Sequence, residues 1–481
     1  MADPRPSSSL LEPAPPLTRK RKAAWASGAF ADVFMANAFS YLAFPIYNVA
    51  LKVDPAFLGW AMGVPRIWDA LADVFVGNLS DNTRTRWGRR RPFIFFGALL
   101  SGLFFALMWM PPASAGVSLV GWYFLGMSIL YYTAYAIFTV PWGALGLELS
   151  GDYHGRTNVQ AWKNFFQAFG GIFLGAMWWL SLRLGANEVE GVRWVGLIFG
   201  VLIGLCGMLP ALLVRESPAS SAHRERIPFF RAVASTFRNR AFLCVIGFTV
   251  CTIFGVFVVN AFALYINIVY VFGGDKEAVS GLNFAMNAVF QVVGLGITPA
   301  VATVARRIGK RPALITGLVL VIVGFCASWW TYTPHAPYLQ GLTLALISPG
   351  LACLWIIGPS MIADICDVDE LETGLRREGM FSAAFAWSIK LSIAVTMILS
   401  GYMLNIAGYD AAREAGQLPG VVDRLRLLYM AVPSAMAALG ILFVWLYPLT
   451  ERRVREVQAV IATRKAQPLE NTDPAPPSAL A

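Results

Sequence analysis

Twelve apolar runs, each long enough to cross a lipid bilayer, limit what this chain can fold into. They lie at approximately 25–50, 57–79, 93–112, 119–147, 162–184 and 193–214, and then at 241–270, 280–304, 313–333, 340–365, 379–406 and 427–447. A bilayer core accepts about 20 apolar residues as a helix and offers no partner to an unpaired peptide group, so helices are the elements these runs allow. Of the 481 residues, 57% are hydrophobic and 14% charged, which argues against a soluble enzyme built around one core. The expected fold is an all-α membrane protein of about twelve transmembrane helices in two sets of six.

The polar residues divide the chain. Residues 1–24 read as a disordered cytoplasmic leader that ends in Arg19, Lys20, Arg21 and Lys22, and that is retained instead of being cleaved as a signal peptide. An N-terminal six-helix bundle over 25–214, an Arg-rich cytoplasmic linker over 215–240, a C-terminal bundle over 241–448 and a cytoplasmic tail over 449–481 follow. The net charge of +10 is spread over short clusters between apolar runs, at Arg84 to Arg91, Arg306 to Arg311, Arg376-Arg377 and after Arg452. That distribution follows the positive-inside rule, puts both termini in the cytoplasm, and speaks for a bilayer rather than nucleic acid as the partner. The six cysteines sit in or at the ends of apolar runs and read as reduced packing residues. WGRRRPFIFFGALLSGLFF before the third run is echoed by IGKRPALITGLVLVIVGF before the ninth, so the two sets of helices read as repeats. The second copy has Ala302 where the first has Asp81.

Asp69 and Asp73 lie four apart in the second run and therefore on one helix face, close enough to repel where little water screens them. Ionisable residues in a span mark a functional site by default. The pair predicts a site for Na⁺, Li⁺ or a proton. The competing arrangement is an internal Arg66–Asp69 pair with Asp73 protonated. Lys390, deep in the eleventh run, needs a carboxylate, a water-filled cavity or a route to the interface.

The spacing RIWDALAD…SDNTRTRWGRRRP resembles the signature of the glycoside-pentoside-hexuronide:cation symporter family, the melibiose-permease-like branch of the major facilitator superfamily. A second match, ADICDVDELETGLRREGMFSAAFAWSIK from Ala363 to Lys390, lies in the other half. The resemblance covers all but the tails and implies a major facilitator fold. It assigns Asp69 and Asp73 to the coupling cation and puts Lys390 near both the cation and the sugar. Trp355 falls at an aromatic platform for the sugar ring and Tyr135 near the same pocket, although both also fit as core or interface aromatics. Asp32 lies near the family's sugar-binding aspartate.

The departures narrow the reading. Thr139, two positions before Pro141, replaces an acidic residue and joins the carboxylates as a candidate cation ligand, and Ala136 stands where a hydroxyl can occur. The fifth-helix arginine becomes Lys163 or is displaced to Asn164, and a pocket tryptophan becomes Gly143 with Trp142 beside it. Melibiose is thus not the implied substrate, and the choice between Na⁺ and H⁺ stays open, since Na⁺ needs several oxygens and a proton only one.

Asp81 with Arg84, Arg89 and Arg90 is expected to latch the halves. Glu148, Arg156, Asp364, Asp367, Arg376 and Arg377 are expected to form a cytoplasmic gate of salt bridges instead of a metal site. The overall expectation is a cation-coupled (H⁺ or Na⁺) symporter of a sugar or glycoside, working as a single chain in the cell membrane, the inner membrane if the source is bacterial, with no cofactor beyond the coupling cation. A lysolipid symporter of the related branch is the alternative. A transporter-like sensor would not need the carboxylate pair. A polytopic enzyme fits least, because His154, His223 and His335 are scattered and no HExxH motif occurs.

Overall fold

A computed structural model describes residues 18–112, 116–149, 153–214, 216, 236–373, 377–413 and 416–466, without the side chains of Leu147, Glu148 and residues 153–157, 462 and 464–466. The helices are α1 (Arg19–Ala43), α2 (Pro55–Asn82), α3 (Arg91–Met108), α4 (Val117–Glu148), α5 (Tyr153–Leu174), α6 (Ala176–Ser181) and α7 (Glu188–Leu213). They continue as α8 (Arg240–Val258), α9 (Asn260–Ile266), α10 (Lys276–Ile308), α11 (Lys310–Thr331), α12 (Gln340–Thr373), α13 (Glu378–Ala407), α14 (Val421–Trp445) and α15 (Glu451–Ala466). Two π-helical turns, Phe44–Ala50 and Asn267–Val271, extend α1 and α9.

Among the described residues, ten stretches are long and apolar enough to cross a membrane. Two further helices have the length but not the apolarity. These are α2, of 28 residues with Arg66, Asp69 and Asp73, and α5, of 22 residues with Lys163 and Gln167. The two most polar spans thus hold much of the candidate site.

Side chains fix where the helices start. Asp54 caps α2 through the Phe57 amide at 2.9 Å with Pro55 as its first residue, and Asp275 caps α10 through Ala278 at 3.0 Å. α5 begins earlier than the run 162–184 implies, and α12 continues past 365 to Thr373. Polar turns that emerge from the bilayer remain helical because water satisfies them, so apolarity alone misplaces these ends. α15 falls in the expected tail. It is held by the Arg452–Glu456 pair at 3.0 Å and by burial of Val454 and Val457.

α1, α3, α4, α5 and α7 pack among themselves, with α2 on α4. Likewise α8, α11 and α14 form one cluster, with α12 on α10 and α11. Between these groups α2 runs along α13, and α5 meets α10. Small residues allow the first contact: a Cβ on Gly59 would lie 2.8 Å from the Ile398 carbonyl oxygen, and one on Gly401 2.1 Å from that of Pro55.

At the end away from the termini the groups are tied by Tyr265–Asn48 (2.6 Å), Tyr41–Asn287 (2.8 Å), Trp60–Tyr402 (2.7 Å), Lys276–Glu188 (2.5 Å) and Arg183–Glu277 (2.8 Å). At mid-span Lys390 of α13 reaches Asp69 and Asp73 of α2. At the terminus end Phe75, Leu79, Phe165, Val292 and Val304 are exposed. The two groups are tied together at the end away from the termini.

Candidate cation and substrate site

The two aspartates of α2 face α13. Lys390 Nζ lies 2.8 Å from Asp69 Oδ2 and 2.6 Å from Asp73 Oδ2. The positive charge between the carboxylates therefore comes from the other helix group. Asp69 is fully buried, and Arg66 Nη1 is 3.8 Å from its Oδ2. The Arg66 pair that the sequence offered as the competing arrangement is present as the longer of the two contacts. Arg66 also donates to the Ala36 carbonyl of α1 and lies 4.7 Å from the Tyr132 ring centroid. Its guanidinium thus joins α1, α2 and α4. Oδ1 of both Asp69 and Asp73 is buried without a hydrogen-bond partner. Two unpartnered carboxylate oxygens beside an ammonium offer an acceptor for a proton or part of the oxygen shell of a monovalent cation.

Thr139 does not join this pair. It donates to Asp32 Oδ1 at 3.3 Å, as does Tyr135 at 3.0 Å, because residues four apart on α4 share a face and that face is turned to α1. Gln167 of α5 donates to Asp32 Oδ2 at 3.0 Å. Asp32 is thus a buried carboxylate held by three neutral donors. Gln167 was not among the expected site residues. Its signal is a polar residue one turn beyond Lys163 in an otherwise apolar stretch.

The other expected pocket residues lie apart. Trp142 is buried, stacked on Trp25 at 5.2 Å and near Phe138 at 5.7 Å, with its indole N–H donating to the Trp25 carbonyl at 3.1 Å. It forms a wall of the core. Lys163 Nζ lies 5.3 Å from its ring centroid. Trp355 is half-exposed on α12. A Cβ on Gly143 would meet nothing within 4 Å, so α4 borders open space there.

At the terminus end Asp81 pairs with Arg90 at 3.0 Å, while Arg84 is exposed. The Arg89 amide donates to Glu216, as do those of Arg90 and Arg91, at 2.9, 2.7 and 3.0 Å. Glu216 thereby holds the start of α3, a role the linker's arginines obscured. Gly88, with φ +112°, makes the turn, and Gly309, at +92°, makes its repeat. In that repeat Lys310 pairs with Asp364 at 2.6 Å. Arg377 forks onto Asp369, and Gln458 of α15 donates to Asp367 at 2.9 Å. Arg376 and the side chains of Glu148 and Arg156 lie outside the described residues. Among the described residues no group of three or more His, Cys, Asp or Glu side chains is placed to hold a metal ion.

A twelve-span helical protein with a charged cluster between two six-span groups that are tied together at the end away from the termini has the build of a major facilitator transporter. The chain belongs to the MFS/sugar transport protein family, whose profile matches residues 24–451. It is 26% identical over 447 residues to a glucuronide carrier protein homolog of Escherichia coli K12, covering 90% of this chain and 94% of that one. To the sodium-dependent lysophosphatidylcholine symporter 1 of Gallus gallus it is 24% identical, covering 84% and 82%. Its fold is similar to that of a bacterial homolog of the human lysosomal transporter Spinster, solved inward-facing and unoccupied. The TM-score is 0.67 at 15% identity, with 91% and 98% of the two chains covered.

Proposed function

We propose that this multi-pass membrane protein is a secondary active transporter that couples inward movement of a cation to symport of a sugar or glycoside. The observation that carries the reading is Lys390 of α13 bridging Asp69 and Asp73 of α2. In the empty carrier the ammonium neutralises the pair and joins the helix groups. A Na⁺ ion or proton that reaches the free carboxylate oxygens takes over that neutralisation and releases the lysine. The α2–α13 seam then changes, and the two six-helix halves rock about the mid-span site. Arg66 carries the change to α1 through the Ala36 carbonyl, one turn from Asp32, where the sugar hydroxyls are met. By the positive-inside rule the basic clusters support cytoplasmic termini, and with them a tied end that faces outward. The protein works as a single chain.

The second reading is symport of a lysolipid. Open space beside Gly143, where the side chain of a polar pocket residue would stand, favours a less polar cargo.

Gradient-driven uptake into proteoliposomes tests the proposal. Radiolabelled glycosides, pentoses and uronides are offered under an imposed Na⁺ or H⁺ gradient to the wild type and to Asp69→Asn/Asp73→Asn. Accumulation under one gradient, abolished in the double variant, supports symport and identifies the cation. Accumulation that survives in the double variant refutes the coupling role of the pair. Accumulation of lysolipid alone selects the second reading.

A further inference from the structure

Between α8 and α13 the spans leave a groove. Ile246, Val250 and Phe254 form one wall and Trp387, Leu391 and Val395 the other, around a cavity of about 300 Å³. Each set is spaced by four residues and so stands on one helix face. At 1.5 Å per residue each wall is about 12 Å long, near the hydrocarbon depth of one leaflet. Ser388 and Ser392 also line the groove, but their hydroxyls donate to the Ala384 and Ser388 carbonyls of their own helix at 2.8 and 2.7 Å. The groove therefore offers hydrocarbon to its occupant. The same faces continue as exposed apolar side chains, Leu243 and Phe257 on α8 and Leu399 and Ile406 on α13, whereas Lys390, next to Leu391, turns to α2. Charged groups of a span turn to the bundle interior, so this apolar side is the one that meets lipid. Phe237 stands at the end of the groove nearer the termini. Beside it Arg238 and Arg240 are exposed, and among the described residues neither makes an ion pair. Asn239, between them, caps α8 through the Phe242 amide at 3.1 Å, so the positive end of the helix dipole opens at the same place.

We propose that this groove holds an acyl chain of an anionic glycerophospholipid from the leaflet on the terminus side, with the lipid phosphate at Arg238 and Arg240. Basic side chains at the mouth of a groove between spans select lipids by net charge, and the hydrocarbon walls supply the rest of the binding. The Trp387 indole N–H, buried with no acceptor among the described residues, gives an ester oxygen of that lipid a donor. A zwitterionic lipid fills the groove equally but gains less from the arginines. The site lies outside the mid-span charged cluster, so the lipid is a resident of the transporter's surface and not its cargo.

Dioleoyl phosphatidylglycerol and dioleoyl phosphatidylcholine share their acyl chains and differ in net charge, so the pair isolates the arginines. The full chain, delipidated in a neutral detergent, is titrated with each, and bound lipid is counted by native mass spectrometry. The expected result is binding of phosphatidylglycerol at least about tenfold tighter than phosphatidylcholine, the level that two basic residues near a bilayer surface contribute. Arg238→Gln/Arg240→Gln should bring the two lipids to equal affinity and leave phosphatidylcholine binding in place. Leu391→Trp, which fills the groove, should weaken both several-fold. Equal binding of the two lipids by the wild type, or a preference that survives both changes, would overturn the proposal. Glycerol phosphate that displaces the lipid at equal concentration would show a free phosphate ester as the ligand and overturn the acyl-chain assignment. Lysophosphatidylglycerol that binds in the groove and is also accumulated by proteoliposomes under a cation gradient would make the groove part of the cargo path, and so overturn the resident lipid. If Leu391→Trp does not fold, the arginine variant, confined to exposed side chains, decides alone.

Discussion

Lys390 bridges Asp69 and Asp73, and under the proposed symport that position separates two steps that ordinary uptake combines. In Lys390→Ala the carboxylates lose their internal partner, so the empty carrier retains an unbalanced buried pair that is costly to occlude. The loaded carrier, with the cation in place, is spared. Lys390→Ala is therefore expected to keep entrance counterflow within about threefold of wild type while net gradient-driven uptake falls at least tenfold. Counterflow lost in parallel with uptake would show that the lysine serves the loaded state instead. At this scale the sequence revealed half the site. The spacing of Asp69 and Asp73 announced a missing positive charge, and Lys390 lay too deep in its run to stand without a partner. Which of Arg66 and Lys390 would lie closer depended on how α13 meets α2, which no local spacing encodes. Thr139 was assigned to the wrong carboxylate for the same reason: its face of α4 turns to α1 and Asp32.

At the scale of elements, the seam between α2 and α13 depends on the absence of side chains at Gly59 and Gly401. Gly59→Leu has no room against the Met397 and Ile398 carbonyls and should wedge the far end apart. Cysteine placed at Asn287 in a cysteine-free background reports this. Labelling by a membrane-impermeant maleimide from the far side is expected to rise several-fold in the glycine variant, and unchanged labelling would show that the helices can shift without parting. The spans themselves were legible because lipid leaves so few solutions to an apolar run. The breaks inside them were not. The π turns at Phe44–Ala50 and Asn267–Val271 each hold a buried asparagine whose partners, Tyr265 for Asn48 and Gln340 for Asn267, lie far along the chain. Only one of these turns contains a proline. Glu216 was hidden among the linker's arginines because its partners are backbone amides, which have no sequence signature.

For the whole molecule, the far-end ties set the balance between the observed form and one opened the other way. Asn48 and Tyr265 are both fully buried, and their hydrogen bond must be given up when that end opens. Tyr265→Phe removes one partner and lowers the cost of opening. Spin labels on the loops that follow the Phe44–Ala50 and Asn267–Val271 turns should then show a larger share of long distances than in the wild type. An unchanged distribution would place the balance in the ionic pairs Lys276–Glu188 and Arg183–Glu277 instead. The charges at mid-span carry one more consequence. Asp69 and Asp73 against Arg66 and Lys390 sum to zero, as do Asp32 and Lys163. For a symporter working as proposed, the resting voltage then neither pulls nor opposes the return of the empty carrier. One bound monovalent cation adds a single positive unit, worth about 2.3 kcal/mol per 100 mV if it traverses the whole field. A neutral sugar would ride with that charge and its uptake would quicken as the membrane polarises, whereas a singly charged sugar acid would cancel it and cross indifferent to voltage.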